Sequence, residues 1–205
     1  MSFSLLPQYR GAAPINWAVI NGEHQTGVTT FFLKQEIDTG DLILMDKTSI
    51  AETDTAGDVH DKLMYLGAEL LVKTIRLIEA GTYQEMPQSE LINANDEPVE
   101  LKHAPKIFKD DCMINWLQPT EQVYNFIRGL SPYPTAFTEL NNKVFKIFKA
   151  EKQLTDVAIA AGGFLTDHKT FLKFACQDGF ISVKEVQQEG KKRMNVENFL
   201  RGVKL

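Results

Sequence analysis

Apolar and polar residues follow two periods in the first half of the chain, and together they predict an α/β fold. Residues 26–34, rich in Val, Thr and Phe, predict a buried strand, and residues 42–50 predict a second one. Between them, Asp38-Thr39-Gly40-Asp41 predicts a turn, because Asp side chains bond local N–H groups and Gly accepts unusual backbone angles. Pro14, near a first turn, predicts a short helix that ends at Asn21-Gly22.

A long amphipathic helix is predicted between Thr55 and Ala80. Apolar residues recur there at helical spacing, so one face of the helix is expected to cover a sheet. Thr55 and Asp58 have the spacing of a capping box, and Gly81 predicts the end of the helix. Residues 83–103 contain prolines and mixed charge without a sustained period, and they predict a linker.

Short strands dominate the prediction for the second half. Residues 120–129 predict a helix, and Ser131-Pro132-Tyr133-Pro134 predicts a rigid turn. Several short runs of strand character follow, separated by turn signals, which is typical of a small barrel. Alternation along a strand places Lys143 and Lys149 on the face opposite Lys146. The predicted strands are 136–140, 143–149, 171–176 and 180–186.

Composition narrows the class of protein. With 205 residues and 43% hydrophobic content, the chain suits one sizeable domain or two small ones. It contains no apolar run as long as a membrane span and no export signal, and its two cysteines lack the spacing of a disulfide framework or a metal site, so a cytoplasmic protein is expected. Residues 1–103 carry 7 Lys and Arg against 16 Asp and Glu, whereas residues 104–205 carry 15 against 11. The basic half is the better candidate for a polyanion partner, although ordinary variation also explains its charge.

A set of motifs recurs in a fixed order from residue 4 onward. The first three are Ser4-Leu5-Leu6-Pro7-Gln8-Tyr9-Arg10-Gly11-Ala12-Ala13-Pro14-Ile15, Thr26-Gly27-Val28-Thr29 and Asp38-Thr39-Gly40-Asp41. Weaker matches follow at Ala104-Pro105-Lys106-Ile107, at Ile114-Asn115-Trp116 and between Ile127 and Pro134. With these motifs at this spacing, the chain resembles the folate-dependent formyltransferases, most closely those that act on methionyl-tRNA.

The resemblance implies a division of the chain into three parts. Residues 1–82 would form the C-terminal half of a Rossmann-like formyltransferase domain, and residues 83–103 would be a linker. Residues 104–205 would form a small OB-like β-barrel domain that binds tRNA. The implied reaction transfers the formyl group of 10-formyltetrahydrofolate to the α-amine of methionyl-initiator-tRNA, without a metal.

The resemblance also implies that part of the catalytic motif is missing. In the family this motif is Asn-x-His-x-Ser-Leu-Leu-Pro, and its Asn and His are catalytic. Alignment on Ser4 puts Ser2 at the His position and the Asn before residue 1. We therefore expect the chain as given to be inactive. A sheet without its first strands exposes an edge, so we also expect association or poor order in residues 1–50, whereas a native full-length enzyme is expected to be a monomer.

The implied site residues fall into three groups. Formyl transfer needs an oxyanion stabiliser and a path for protons, and Asp38 corresponds to the aspartate that orients the family's His and a proton-shuttling water. Arg10 either is a cation beside the acceptor or the folate tail, or pairs with a surface carboxylate. The residues implied in binding the folate are Ser4, Leu5, Leu6, Pro7, Gln35, Glu36 and Ile37. Those implied in binding tRNA are Arg10, Lys106, Lys191, Lys192 and Arg193, for which a solvated surface is the alternative.

Two other functions remain open at this point. Related enzymes formylate nucleotide-linked amino sugars, although the basic second half argues against such an acceptor. The incomplete motif also allows a non-enzymatic tRNA-binding remnant, which would bind tRNA but no folate.

Overall fold

An antiparallel strand pair and one long helix form much of the N-terminal part of the chain. The computed structural model describes residues 1–93, 100–203 and 205. The chain separates into two units. Unit 1 consists of Met1–Ala18 and Glu23–Lys106, and unit 2 consists of Val19–Gly22 and Ile107–Leu205.

Among the residues that the structure describes, seven elements precede Pro105. In chain order they are β1 (Arg10–Gly11), α1 (Pro14–Ile20), β2 (Gln25–Phe31), β3 (Leu42–Ser49), α2 (Ala56–Ala80), α3 (Gln88–Asn93) and β4 (His103–Ala104). Strands β2 and β3 pair antiparallel, and single bridges from Ser2 to Thr29 and from Met86 to Leu42 extend this pair on both sides. Strand β1 pairs parallel with β4. The predicted helix at Pro14 and the two predicted strands are confirmed.

Helix α2 has the start and the end that its sequence predicts. The Thr55 hydroxyl accepts a hydrogen bond from the Asp58 N–H, and the Asp58 carboxylate accepts one from the Thr55 N–H at 2.8 Å. Gly81 ends the helix in the left-handed conformation, with φ 65°. Within the described ranges, no helix combines the length and the apolar character needed to cross a membrane.

Two faces of α2 have different surroundings. One face is buried, and α2 packs against both β2 and β3. The side of the helix next to this face exposes an apolar stripe that consists of Met64, Leu71, Ile75 and Ile78. Positions 64, 71, 75 and 78 share one side of a helix because they are separated by three, four or seven residues. We call this set the α2 stripe.

The interval 83–103, for which a linker is expected, contains regular structure. Helix α3 begins within it at Gln88, directly after Pro87, and β4 ends it. Gln88 is only 4% exposed. The sequence did not predict this helix, because the segment is polar and lacks the apolar periodicity that indicates a helix. The part of the expected linker at 94–99 lies outside the described residues.

Unit 2 combines a six-stranded antiparallel sheet with helices. Its elements are a 3₁₀ helix (Asp110–Cys112), α4 (Thr120–Gly129), β5 (Ala136–Leu140), β6 (Lys143–Leu154), β7 (Phe164–Thr166), β8 (Leu172–Ala175), β9 (Gly179–Gln188), β10 (Met194–Asn195) and α5 (Val196–Arg201). The strand order is β5-β6-β9-β8-β7, and β10 pairs with β9 outside this order. Among the described strands, β5 and β7 end this path and do not pair with each other, so the sheet is a half-barrel. The predicted barrel is therefore confirmed only as a curved antiparallel sheet.

A β-bulge in β6 overturns the predicted placement of its lysines. Side chains of Phe145 and Ile147 are buried before the bulge, whereas Phe148 and Ala150 are buried after it. One extra residue shifts the alternation by one position, so every later side chain changes face. Lys149 consequently shares the outward face with Lys146.

Helix α4 receives its N-terminal cap from a distant turn. Asp178 Oδ1 accepts hydrogen bonds from the backbone N–H and the hydroxyl of Thr120, both at 2.7 Å. These two bonds, the backbone one first, hold the pKa of Asp178 below its ordinary value. A carboxylate with a lowered pKa stabilises the folded state at neutral pH, and this contribution is lost as the pH falls through the folded-state pKa.

We expect Asp178→Ala to lower the free energy of unfolding by about 1 kcal/mol, because a helix N-terminus loses its acceptor. Asp178→Asn is the matched control, since its amide oxygen can still accept these bonds. Urea unfolding at pH 7 and pH 3 measures both. Equal losses in the two variants would contradict a capping role, and the pH dependence assigned to Asp178 should be absent from both.

Candidate functional site

Asp38 lies in the loop between β2 and β3, residues 32–41, which we call the donor loop. Its backbone has φ 55°, a left-handed conformation that Asp tolerates better than most residues. Its Oδ2 accepts hydrogen bonds from the Gly11 N–H and the Ser2 hydroxyl, each at 3.3 Å. The half-buried carboxylate is thereby directed toward the first motif of the chain.

Ser2 occupies the position that the family resemblance assigns to a histidine. Its backbone pairs with Thr29 of β2, and its hydroxyl reaches both Asp38 Oδ2 and, at 3.1 Å, the hydroxyl of Ser4. A side chain at position 2 therefore contacts Asp38. A hydroxyl, unlike an imidazole, does not take up a proton near neutral pH.

Gln88 joins the donor loop to Arg10. Its side-chain amide nitrogen donates to the carbonyls of Asp38 and Gly40, each at 2.8 Å. Its oxygen accepts from Arg10 Nε at 3.1 Å and Nη2 at 2.5 Å. Sequence reasoning missed this residue, because nothing in an interval expected to be a linker indicates which polar side chain is buried.

Arg10 forms no surface ion pair among the described residues, so one of the two roles left open for it is not observed. Its described hydrogen bonds go to the amide of Gln88, and within the described residues no carboxylate forms an ion pair with it. A guanidinium has five N–H donors, so the pair with Gln88 leaves others for an anion. The half-buried side chain thus remains a candidate for binding an acceptor phosphate.

The first motif anchors the chain to β2. Ser4, Leu6 and Pro7 are buried, and Leu5 is half-buried. The Thr29 hydroxyl donates to the Ser4 carbonyl at 2.7 Å, while Leu6 packs in a cluster with Phe31 and Leu42. These side chains position the motif, and a part in folate binding stays a proposal.

The tip of the donor loop faces solvent. Gln35, Glu36 and Ile37 are all exposed, and Ile37 and Leu33 expose 76% and 86% of their surface. Two exposed apolar side chains in one loop offer contact area to a flat ring system. Asp41, at the end of the loop, pairs with Lys34 at 2.8 Å.

A second hydrogen-bond cluster holds the motif residue Tyr9. The Tyr9 hydroxyl and Lys102 Nζ both donate to Glu23 Oε1 at 2.6 Å. Partial burial alone would raise the pKa of Glu23, but the hydrogen bonds from Lys102 and Tyr9 bring it below its ordinary value. A carboxylate in this state stabilises unit 1 at neutral pH and loses the effect as the pH falls through its folded-state pKa.

The basic residues named from the sequence are divided between the two units. Arg10 and Lys106 belong to unit 1, whereas residues 191–193 belong to unit 2. Arg193 is bound to Glu185 by two hydrogen bonds of 2.7 and 2.8 Å and lies 4.1 Å from the Phe148 ring centroid. Lys192 is exposed, while Lys191 donates to the Gly202 carbonyl at 3.3 Å.

Two family models, both of formyl transferases, match the chain. The formyl transferase model matches residues 3–75, and the formyl transferase C-terminal domain model matches residues 106–204. The chain is 53% identical over 204 residues to a methionyl-tRNA formyltransferase of Phocaeicola vulgatus. The match covers 97% of this chain and 62% of that relative, so the chain spans less than two thirds of the relative's length.

Solved structures with the same fold include two proteins in complex with folates. An N-formyltransferase of Helicobacter canadensis, in complex with folinic acid and dTDP-3-aminofucose, matches with 25% identity and a TM-score of 0.65. That match covers 91% of this chain and 64% of the other. HypX of Aquifex aeolicus, in complex with tetrahydrofolic acid, matches with 19% identity and a TM-score of 0.67 over 95% of this chain and 33% of its own, which shows the fold alone.

Proposed function

Since the chain belongs to the formyl transferase family, we propose that it is part of an enzyme that formylates the α-amine of methionyl-initiator-tRNA with 10-formyltetrahydrofolate. The observation that carries this proposal is the 53% identity to the Phocaeicola vulgatus methionyl-tRNA formyltransferase. Because the match covers 62% of that relative, the activity is proposed for a chain of the relative's full length.

The donor loop is the proposed folate site. 10-Formyltetrahydrofolate supplies the formyl group when it is bound. Leu33 and Ile37 offer the apolar contact that a flat ring needs, and the exposed residues Gln35–Ile37 contribute backbone N–H and C=O groups for its polar edge. The residues Ser4, Leu5, Leu6 and Pro7 contribute by holding Ser2 and Gly11 where they meet Asp38.

Asp38 is the proposed catalytic residue. An amine that attacks a formyl carbon must lose a proton, and a fixed carboxylate can orient the group or the water that accepts it. The hydrogen bonds from Gly11 and Ser2 fix Oδ2, and Oδ1 lies outside these two bonds. Asp38 can thus hold a partner at position 2 while its second oxygen faces a water or the amine.

We propose that the chain as given is inactive because position 2 is a serine. The described contacts of Asp38 include no imidazole, and a hydroxyl cannot hold the proton in its place. An extended chain supplies the missing groups. It consists of the N-terminal segment of the Phocaeicola vulgatus relative, through the residue that precedes its match to Ser4, followed by Ser4 and the rest of this chain.

Unit 2 is the proposed tRNA-binding domain, and we propose an OB-like barrel for residues 104–205. Its antiparallel half-barrel and the excess of Lys and Arg over Asp and Glu support this reading. Lys146, Lys149 and Lys192 are the proposed phosphate contacts, together with Lys106, Lys191 and Arg193. Residues 1–82 and 83–103 are the proposed catalytic part and linker, although α3 begins within the latter.

Binding of initiator tRNA to the chain tests this acceptor. We expect an affinity that falls with salt, and we expect Lys192→Gln to weaken it and to reduce the salt slope by about one, because roughly one phosphate contact is lost. Lys169→Gln in the turn before β8 is the matched control, which we expect to leave the salt slope unchanged. A chain that fails to bind tRNA even at low salt would contradict the proposal.

A sugar-nucleotide amine is the second candidate acceptor. The observation in its favour is the likeness to the Helicobacter canadensis enzyme, at 25% identity. Displacement of bound tRNA by dTDP-3-aminofucose would support it, and we expect no displacement. A tRNA-binding remnant without folate affinity is the remaining alternative, and binding of folinic acid to the chain would exclude it.

We also propose a cytoplasmic location and a state of association. The translation-related names of the relatives support the cytoplasm. The exposed α2 stripe supports association of the chain as given, because contiguous apolar surface in water favours self-contact. A monomer is proposed for a full-length chain.

A further inference from the structure

The side-chain amide of Gln88 uses all of its hydrogen-bonding groups on Arg10 and the donor loop. A side-chain amide has two N–H donors and two oxygen lone pairs. Both donors go to carbonyls of the donor loop, and both lone pairs accept from Arg10. The side chain is 4% exposed, so no water competes freely for these bonds.

The chemistry of these contacts requires an amide at position 88. A glutamate has the same length but no N–H to give to two carbonyl oxygens, which it would repel. A methionine has a similar volume and neither donors nor acceptors of comparable strength. Packing alone would therefore accept methionine, whereas the observed bonds would not.

The hydrogen bonds of Gln88 complete a network that connects Asp38 with Arg10 and Gly11. Arg10 and Gly11 are adjacent in β1. The Gly11 N–H binds the carboxylate of Asp38, and the Arg10 guanidinium binds Gln88, which in turn binds the backbone of Asp38. Asp38 is thus held at its side chain and at its backbone by two neighbouring residues, the second through Gln88.

We propose that Gln88 is a positioning residue that sets the geometry of Asp38 and couples it to Arg10. This inference rests on the proposed function, in which Asp38 serves the donor side and Arg10 is a candidate for an acceptor phosphate. Loss of Gln88 releases the donor loop from Arg10, so folate affinity falls although no atom of Gln88 is required to touch the folate.

The test compares Gln88→Met and Gln88→Glu with Gln84→Glu, which makes the same charge change at an exposed position four residues earlier. Hydrogen exchange of residues 33–42 reports the loop, and the ¹³C resonance of the Asp38 carboxyl reports its hydrogen bonds. Loss of two buried hydrogen bonds predicts exchange about tenfold or more faster in both Gln88 variants. Exchange in α2 should stay unchanged in the Gln88 variants, and loop exchange should stay unchanged in Gln84→Glu.

Arg10→Met completes a double-mutant cycle. It should accelerate loop exchange when Gln88 is present and add nothing in the Gln88→Met background, because Arg10 acts on the loop through Gln88. Additive effects would overturn the coupling. Unchanged loop exchange and an unchanged Asp38 resonance in Gln88→Met would overturn the positioning role.

Folinic acid titration separates this inference from the proposed function. We expect about tenfold weaker binding in Gln88→Met, in proportion to the released loop. A wild-type chain without affinity for folinic acid would overturn the proposed donor site. The exchange and resonance data would then still decide whether Gln88 fixes Asp38.

Discussion

Asp38→Asn should lower kcat for formyl transfer by about 10²–10⁴-fold in the extended chain, the usual contribution of a positioned acid–base group. The amide keeps the size of the side chain and can still accept from Gly11, so binding of folinic acid should change little. The loss should therefore appear in kcat and not in KM for the folate. Steady-state kinetics with methionyl-initiator-tRNA measure both.

Asp41→Asn is the matched control for this prediction. It makes the same change three residues away, at a partly exposed carboxylate that pairs with Lys34 at 2.8 Å. An exposed pair contributes little to stability, about 0–1 kcal/mol, so activity should stay close to that of the parent. An equal loss of kcat in the two variants would contradict the assignment of Asp38.

Phe174→Ala should lower the free energy of unfolding of unit 2 by about 3–5 kcal/mol, as expected for truncation of a buried aromatic ring. Phe174 is 1% exposed and stacks on Trp116, with the two ring centroids 4.8 Å apart. The ring centroids of Phe174 and Phe145 are 6.2 Å apart. Removing the ring leaves a cavity at the centre of these aromatic contacts. Urea unfolding followed by Trp116 fluorescence, in a Trp17→Phe background, measures the loss.

Phe171→Ala provides the comparison for the core prediction. Phe171 is 36% exposed and immediately precedes β8. Because water already reaches this ring, the cost should be well below that of Phe174→Ala, about 1 kcal/mol. Similar losses at both positions would mean that the β8 ring does not belong to the core described for unit 2.

Local signals predicted much of the fold. The capping box at Thr55 and the glycine stop at Gly81 depend on residues within one turn of the helix end, so the sequence contains all the information needed. Strand β5 has the predicted bounds, 136–140, for the same reason. The short strands β7 and β10 offered too few residues for a period to emerge.

Features that depend on distant partners were not predictable. The bulge in β6 arises where its register with β9 shifts, and it puts Lys149 on the same face as Lys146 and not on the opposite face as predicted. The cap of α4 comes from Asp178, 58 residues away from Thr120. Periodicity within one element contains no information about such contacts.

In the candidate site, too, local motifs could be predicted and contacts between distant residues could not. Asp38 was named from a motif that would, without its neighbours, predict only a turn. Gln88 was missed because its four hydrogen bonds go to Arg10, Asp38 and Gly40, which lie at least 48 residues away in sequence. Polar residues buried by distant segments leave no local signal.

Formyl transfer from 10-formyltetrahydrofolate to methionyl-initiator-tRNA tests the central claim most directly, with the chain as given and the extended chain measured side by side. We expect turnover by the extended chain and none by the chain as given, because only the former places an imidazole beside Asp38. Turnover by the chain as given, at a rate similar to that of the extended chain, would contradict the assignment of position 2 and the role of Asp38.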